Sequence, residues 1–162
     1  MCEYCGCQTL DAIADLTAEH DLVIDLGRQV RSALRGGDLG HAAERVRAIT
    51  AVLGPHTEVE EDALFPAMAA EFPDHVEALR GEHRIVEAVL AEAAHGTPTD
   101  PAWPARVEQV LHLLREHILK EQDGVFPAAL AALGPDQWNA VDMVRARVGK
   151  GSRAAVRAQG RT

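Results

Sequence analysis

The chain has 162 residues, 47% apolar and 25% charged, with a formal net charge of -9. That length suits one domain with a real core, and the acidic balance argues against a nucleic-acid partner. Aromatics at 4% and sparse β-branched residues favour helices over sheets. No apolar run approaches the ~18–20 residues of a membrane span, and the first residues carry no basic or apolar signal segment. The expectation is a cytoplasmic protein with no membrane partner.

In chain order, residues 1–8 stand apart first. Cys2, Cys5 and Cys7 lie within six residues, and no other cysteine occurs. An odd cluster without a signal segment is not a disulfide framework. Three readings stay open: zinc or another soft metal held by thiolates, a redox element, or reduced thiols on a loose terminus.

Long amphipathic helices follow. The first spans about 9–34, with Leu16, Val23, Leu26 and Val30 on one stripe. Glycines 36, 37 and 40 form a loop. A second helix starts near His41, should kink at Gly54-Pro55, and should break at Phe65-Pro66. A short helical piece leads to Phe72-Pro73. A third helix covers about 74–94 and is closed by Gly96. After a proline-rich loop, a fourth helix covers about 105–122 and should break at Gly124–Pro127. A further helix starts at Pro135, and residues 150–162, with four basic and no acidic residues, should be disordered. The expected fold is all-α: an up-down-up-down four-helix bundle over 9–133 with an additional C-terminal helix over 134–149.

The sequence contains a repeat. His56-x3-Glu60-x-Asp62-x2-Phe65-Pro66 aligns with His117-x3-Glu121-x-Asp123-x2-Phe126-Pro127. Before these, Leu16-x2-Glu19-His20 aligns with Leu79-x2-Glu82-His83. Each half is therefore a helical hairpin with one His on its first helix and His-x3-Glu on its second. His and Glu four apart share a helix face. Sixteen residues separate His20 from Gly36, and sixteen separate Gly40 from His56. At ~1.5 Å per residue each leg is about 24 Å, so both histidines fall at one level. The second hairpin repeats this with legs of 13 and 14 residues, from His83 to Gly96 and from Trp103 to His117.

Four imidazoles and two carboxylates converging in an apolar core are too costly to leave unpaired. Six ligands exceed one tetrahedral zinc site. They suit two metals bridged by carboxylates and capped by imidazoles, with iron or manganese favoured by a nitrogen and oxygen donor set. The bland alternative is a duplicated helical scaffold without metal. His41, His75, His95 and His112 have no assigned role. Asp62 and Asp123 point about 200° away from the carboxylates two residues earlier and suit turn caps or Arg partners. The Phe-Pro pairs suit helix ends and plugs of the core.

At these residues the chain resembles the hemerythrin-like family, the HHE cation-binding domains, over about residues 9–133. The resemblance implies a four-helix bundle with two iron ions bridged by an oxo or hydroxo group. Carried over by position, His20, His56, His83 and His117 are the terminal ligands, and Glu60 and Glu121 the bridges. Oxygen-carrying hemerythrins have His-x3-His on the third helix and His-x4-Asp on the fourth. Here the third offers His83-x3-Glu87 and the fourth His117-x3-Glu121. That departure argues against reversible oxygen carriage and makes Glu87 a candidate extra ligand. The expected ligands are dioxygen, hydrogen peroxide or nitric oxide. Two classes follow, an enzyme that decomposes peroxide and a module that senses or stores oxygen, nitric oxide or iron.

Overall fold

The computed structural model describes residues 11–151. Cys2, Cys5 and Cys7, with every reading placed on them, lie outside the described residues, as does the tail beyond Gly151.

The described residues form helices and no strand: α1 (Asp11–Arg35), α2 (Leu39–Val59), α3 (Phe65–Met68), α4 (Pro73–Ala91), α5 (Trp103–Lys120), α6 (Phe126–Ala132) and α7 (Pro135–Val148). The expected bundle and added C-terminal helix are there. α1 ends because Gly37, at φ 75°, reverses the chain at no Cβ cost. The Gly37 amide donates to Leu34 O and the Asp38 amide to Ala33 O, which satisfies the last carbonyls. Asp38 then caps α2 by accepting from the His41 amide. One short turn thus sets the first antiparallel hairpin.

Two expected breaks do not occur, and the helix does not restart at the expected kink. α2 runs through Gly54-Pro55 without interruption. At Phe65-Pro66 and at Gly124–Pro127 the helix does not stop either. Each time it widens into one π-helical turn, Glu60–Leu64 and Glu121–Val125, before continuing as α3 or α6. The Phe65 amide donates to Glu60 O and the Phe126 amide to Glu121 O, five residues back. A proline ring clashes with the carbonyl four residues before it. A wide turn just ahead of Pro66 and Pro127 gives that carbonyl room, so each helix passes its proline instead of ending there. The chain also stays on the bundle two residues longer than expected: Lys150 Nζ lies 2.8 Å from Asp15.

Two apolar clusters hold the bundle. One, toward the Gly37 end, includes Val30, Val46, Ile49, Leu90, Trp103 and Leu114. The other includes Leu16, Leu64, Phe65, Leu79, Phe126 and Val141. Burying a large apolar side chain contributes about 1.5–3 kcal/mol. Between the clusters lies a layer of buried polar residues: His20, His56, Glu60, His83, His117 and Glu121, none more than 6% exposed. Such a layer weakens a core unless its groups are satisfied.

Candidate metal centre

α1, α2, α4 and α5 each deliver one imidazole to this layer, and the two π-helical turns each open with one carboxylate. His20 and His56 face each other with their Nε2 atoms 3.1 Å apart, and His83 and His117 do so at 3.0 Å. Each carboxylate reaches both pairs. Glu60 places Oε1 3.1 Å from His56 Nε2 and Oε2 3.3 Å from His83 Nε2. Glu121 places Oε2 3.0 Å from His20 Nε2 and Oε1 2.9 Å from His117 Nε2. Two four-residue groups result, His20–His56–Glu60–Glu121 and Glu60–His83–His117–Glu121, each with its donor atoms within 4.8 Å of one another.

The donor chemistry fits a cation. All four carboxylate oxygens are buried and, among the described residues, make no hydrogen bond despite the nearby rings. Facing Nε2 atoms cannot both offer lone pairs to each other. A buried set of lone pairs aimed at common points is what a metal ion satisfies.

The far side of three rings is held. His56 Nδ1 donates to Glu19 Oε2 at 2.9 Å, His83 Nδ1 to Glu61 Oε1 at 2.7 Å, and His117 Nδ1 to Glu82 Oε2 at 2.8 Å. A ring whose Nδ1 carries the bound proton leaves Nε2 free for a metal. Glu19 and Glu82 are the Glu-His partners of the sequence repeat, but each serves the histidine of the neighbouring helix, not its own. His20 differs, since its Nδ1 is buried with no hydrogen bond to any of the described residues. At the repeat position equivalent to Glu61 stands Gln122. Glu19 is itself held by Arg145 of α7, through Nη1 at 2.7 Å and Nη2 at 3.0 Å.

The electrostatics follow from these pairs. Burial presses the His56 imidazole toward its neutral form, but Glu60 and Glu19 outweigh it and push its pKa up to about 10. Burial acts likewise on His117, and Glu121 raises it to about 9. His83 is also raised, by Glu60 against burial. Burial would lift Glu60, but the His56 and His83 rings hold it well below the usual carboxylate range. In the metal-free fold His56, His83 and His117 thus favour the charged form beside the buried Glu60 carboxylate.

The Phe-Pro pairs do plug the core. Phe126 stacks on His20 at 5.6 Å and 9°, and Phe65 on His83 at 5.5 Å and 15°. Each half thus braces a ring of the other. Asp62 pairs with Arg147 at 2.8 Å.

A cavity of about 420 Å³ lies beside the four histidines, between α2 and α4, walled by apolar residues such as Leu53, Val86, Leu90 and Ile118. Glu87 lines it, exposed, and belongs to neither donor group. The four unassigned histidines, His41, His75, His95 and His112, are all exposed. Sequence reasoning gave no role to Glu19, Glu61, Glu82 or Arg145. The Glu-His repeat signalled two of them, and the sequence carries no signal for Arg145.

Among the described residues, no helix is long and apolar enough to cross a membrane. No curated protein and no solved structure matches the chain. A family model described as the hemerythrin HHE cation binding domain matches residues 11–129, from the start of α1 into α6, and so takes in all six residues of the buried polar layer. The chain belongs to the hemerythrin HHE cation-binding family.

Proposed function

We propose that the chain holds two iron ions in this layer and takes a small oxidant there: dioxygen, hydrogen peroxide or nitric oxide. The observation that carries the reading is the division of each carboxylate, one oxygen toward the His20–His56 pair and one toward the His83–His117 pair. A single ion needs no such division. His20, His56, His83 and His117 are the terminal ligands in this reading, and Glu60 and Glu121 the bridges. Bound iron supplies electron exchange with an oxidant and an exchangeable coordination position.

The chain's own residues do the rest. Glu19, Glu61 and Glu82 keep the Nδ1 proton of three rings in place, which orients Nε2. Phe65 and Phe126, both buried, cover the faces of His83 and His20 and keep water off them. The apolar cavity admits a small uncharged molecule at little desolvation cost.

Metal analysis of protein produced with iron available tests the reading. Two irons per chain are expected. Iron-free protein with unchanged helicity and thermal stability overturns it. Dioxygen evolution on adding hydrogen peroxide then separates an enzyme from a binding module, and titration with nitric oxide probes the exchangeable position.

A further inference from the structure

Arg145 lies outside the residues that match the family, 126 positions from Glu19. Yet its guanidinium is buried at 8% exposure and grips both oxygens of Glu19. Glu19 makes four hydrogen bonds. Oε1 accepts from Arg145 Nη1 and from the Gly151 amide at 2.8 Å. Oε2 accepts from Arg145 Nη2 and from His56 Nδ1. Gly149, at φ 80°, turns the chain after α7 so that Gly151 reaches this point, and Arg145 Nη1 also donates to Gly149 O at 3.0 Å. Gly151 sits so close to α2 that a Cβ would lie 2.5 Å from Val52 O. Only glycine fits there.

The second half provides the control. Glu82 holds His117 in the same way, but its other partner is a single exposed Lys120. An ammonium is a point charge on a flexible stem, whereas a guanidinium is a rigid two-pronged donor. Net stability is a poor account of the buried pair, because a well-packed apolar substitute for a buried ion pair is often neutral or better.

We propose that Arg145 and the Gly149–Gly151 segment form a positioning clasp: they fix Glu19, and through it the His56 ring. The C-terminal segment thereby sets the affinity of the metal position between His20 and His56, and not that of the position between His83 and His117. The inference rests on the two-metal reading above.

The test is titration of the full-length metal-free chain with cobalt(II), followed by calorimetry and visible absorption, in wild type, R145M, R145K and K120M. Wild type should take up two equivalents. R145M should weaken one equivalent roughly 10–100-fold, shift the absorption band of that step, and leave the other unchanged. R145K should recover part of the loss, because the charge returns without the fork. K120M should leave the step that R145M affects at its wild-type value. The clasp is overturned if R145M binds both equivalents as wild type does, or if both weaken alike as its thermal stability falls. Should R145M not fold, R145K decides, and wild-type constants and bands in R145K overturn the clasp. A wild-type chain that takes up fewer than two ions overturns the two-metal reading itself, which a two-ion wild type with an unaffected R145M does not.

Discussion

The two hairpins contribute matching ligands but rest on different supports. α1 and α2 with the first π-helical turn supply His20, His56 and Glu60, while α4 and α5 with the second supply His83, His117 and Glu121. In the first half the carboxylate behind His56 is enclosed by α7, with Glu19 3% exposed and Arg145 gripping it. In the second half the carboxylate behind His117 is 15% exposed and answers to a surface lysine. Among the described residues His20 Nδ1 has no partner, whereas His83 Nδ1 receives the Glu61 carboxylate from the first π-helical turn. Duplication reproduces the donor atoms. The groups that orient them come from whatever packs nearby, and only one half has α7.

The sharpest way to break the comparison is to remove what the halves share. Glu60→Ala should abolish loading at both positions, because the carboxylate serves both. His56→Ala should chiefly affect one. Metal content per chain distinguishes the two, and equal losses would mean that the positions are not separable.

Removing what the halves do not share should separate their stabilities. Glu19→Ala leaves Arg145 buried without its partner and should cost about 3–5 kcal/mol in chemical denaturation. Glu82→Ala strips the acceptor from His117 Nδ1, as Glu19→Ala does from His56, but the cation it leaves behind is an exposed Lys120, which adds only about 1 kcal/mol or less. Similar costs would deny α7 its special place.

Acidity acts on both halves together. His56, His83 and His117 have raised values in the metal-free fold. Their contribution is fully present below the ordinary imidazole value of 6.5, and it fades as pH climbs toward the values of about 9 and about 10 that His117 and His56 take in the fold. The melting temperature of chelator-treated protein should therefore fall over that interval. Metal needs neutral imidazole, so affinity should rise over the same interval with release of protons. A metal-free melting temperature that stays flat to pH 10 would count against these ion pairs.

The smallest change restores the missing symmetry. Gln122→Glu puts at the second π-helical turn the carboxylate that Glu61 provides at the first. It should tighten the His20–His56 position by up to about tenfold. Calorimetric titration reads this directly, and an unchanged constant would mean that residue 122 does not reach the ring. His112→Ala, on an exposed face, should shift stability by no more than ~0.5 kcal/mol.

How much of this was legible in the sequence depends on how local each feature is. His56-x3-Glu60 and His117-x3-Glu121 are readable because one helix turn fixes their geometry, and equal leg lengths bring all four histidines to one level. The prolines misled, because a rule for the α-helix places a stop at Pro66 and Pro127 where the chain adopts a wider turn instead. Glu19 and Glu82 stand out as repeated letters, but which histidine they hold depends on how adjacent helices pack. Arg145 meets Glu19 only through the path of α7, and no spacing encodes that.

The π-helical turns also set which edits to the chain the fold can absorb. A π turn holds one residue more than the α-helix around it. Deleting one residue between Glu61 and Leu64 would let the ladder close as an ordinary helix, with the Phe65 amide still on the Glu60 carbonyl but now one α turn away. Pro66 would then meet the carbonyl it now avoids. The loop between α4 and α5 carries no such constraint and can gain or lose residues cheaply. Length variation should thus be tolerated there and forbidden in the two five-residue segments that begin with Glu60 and Glu121.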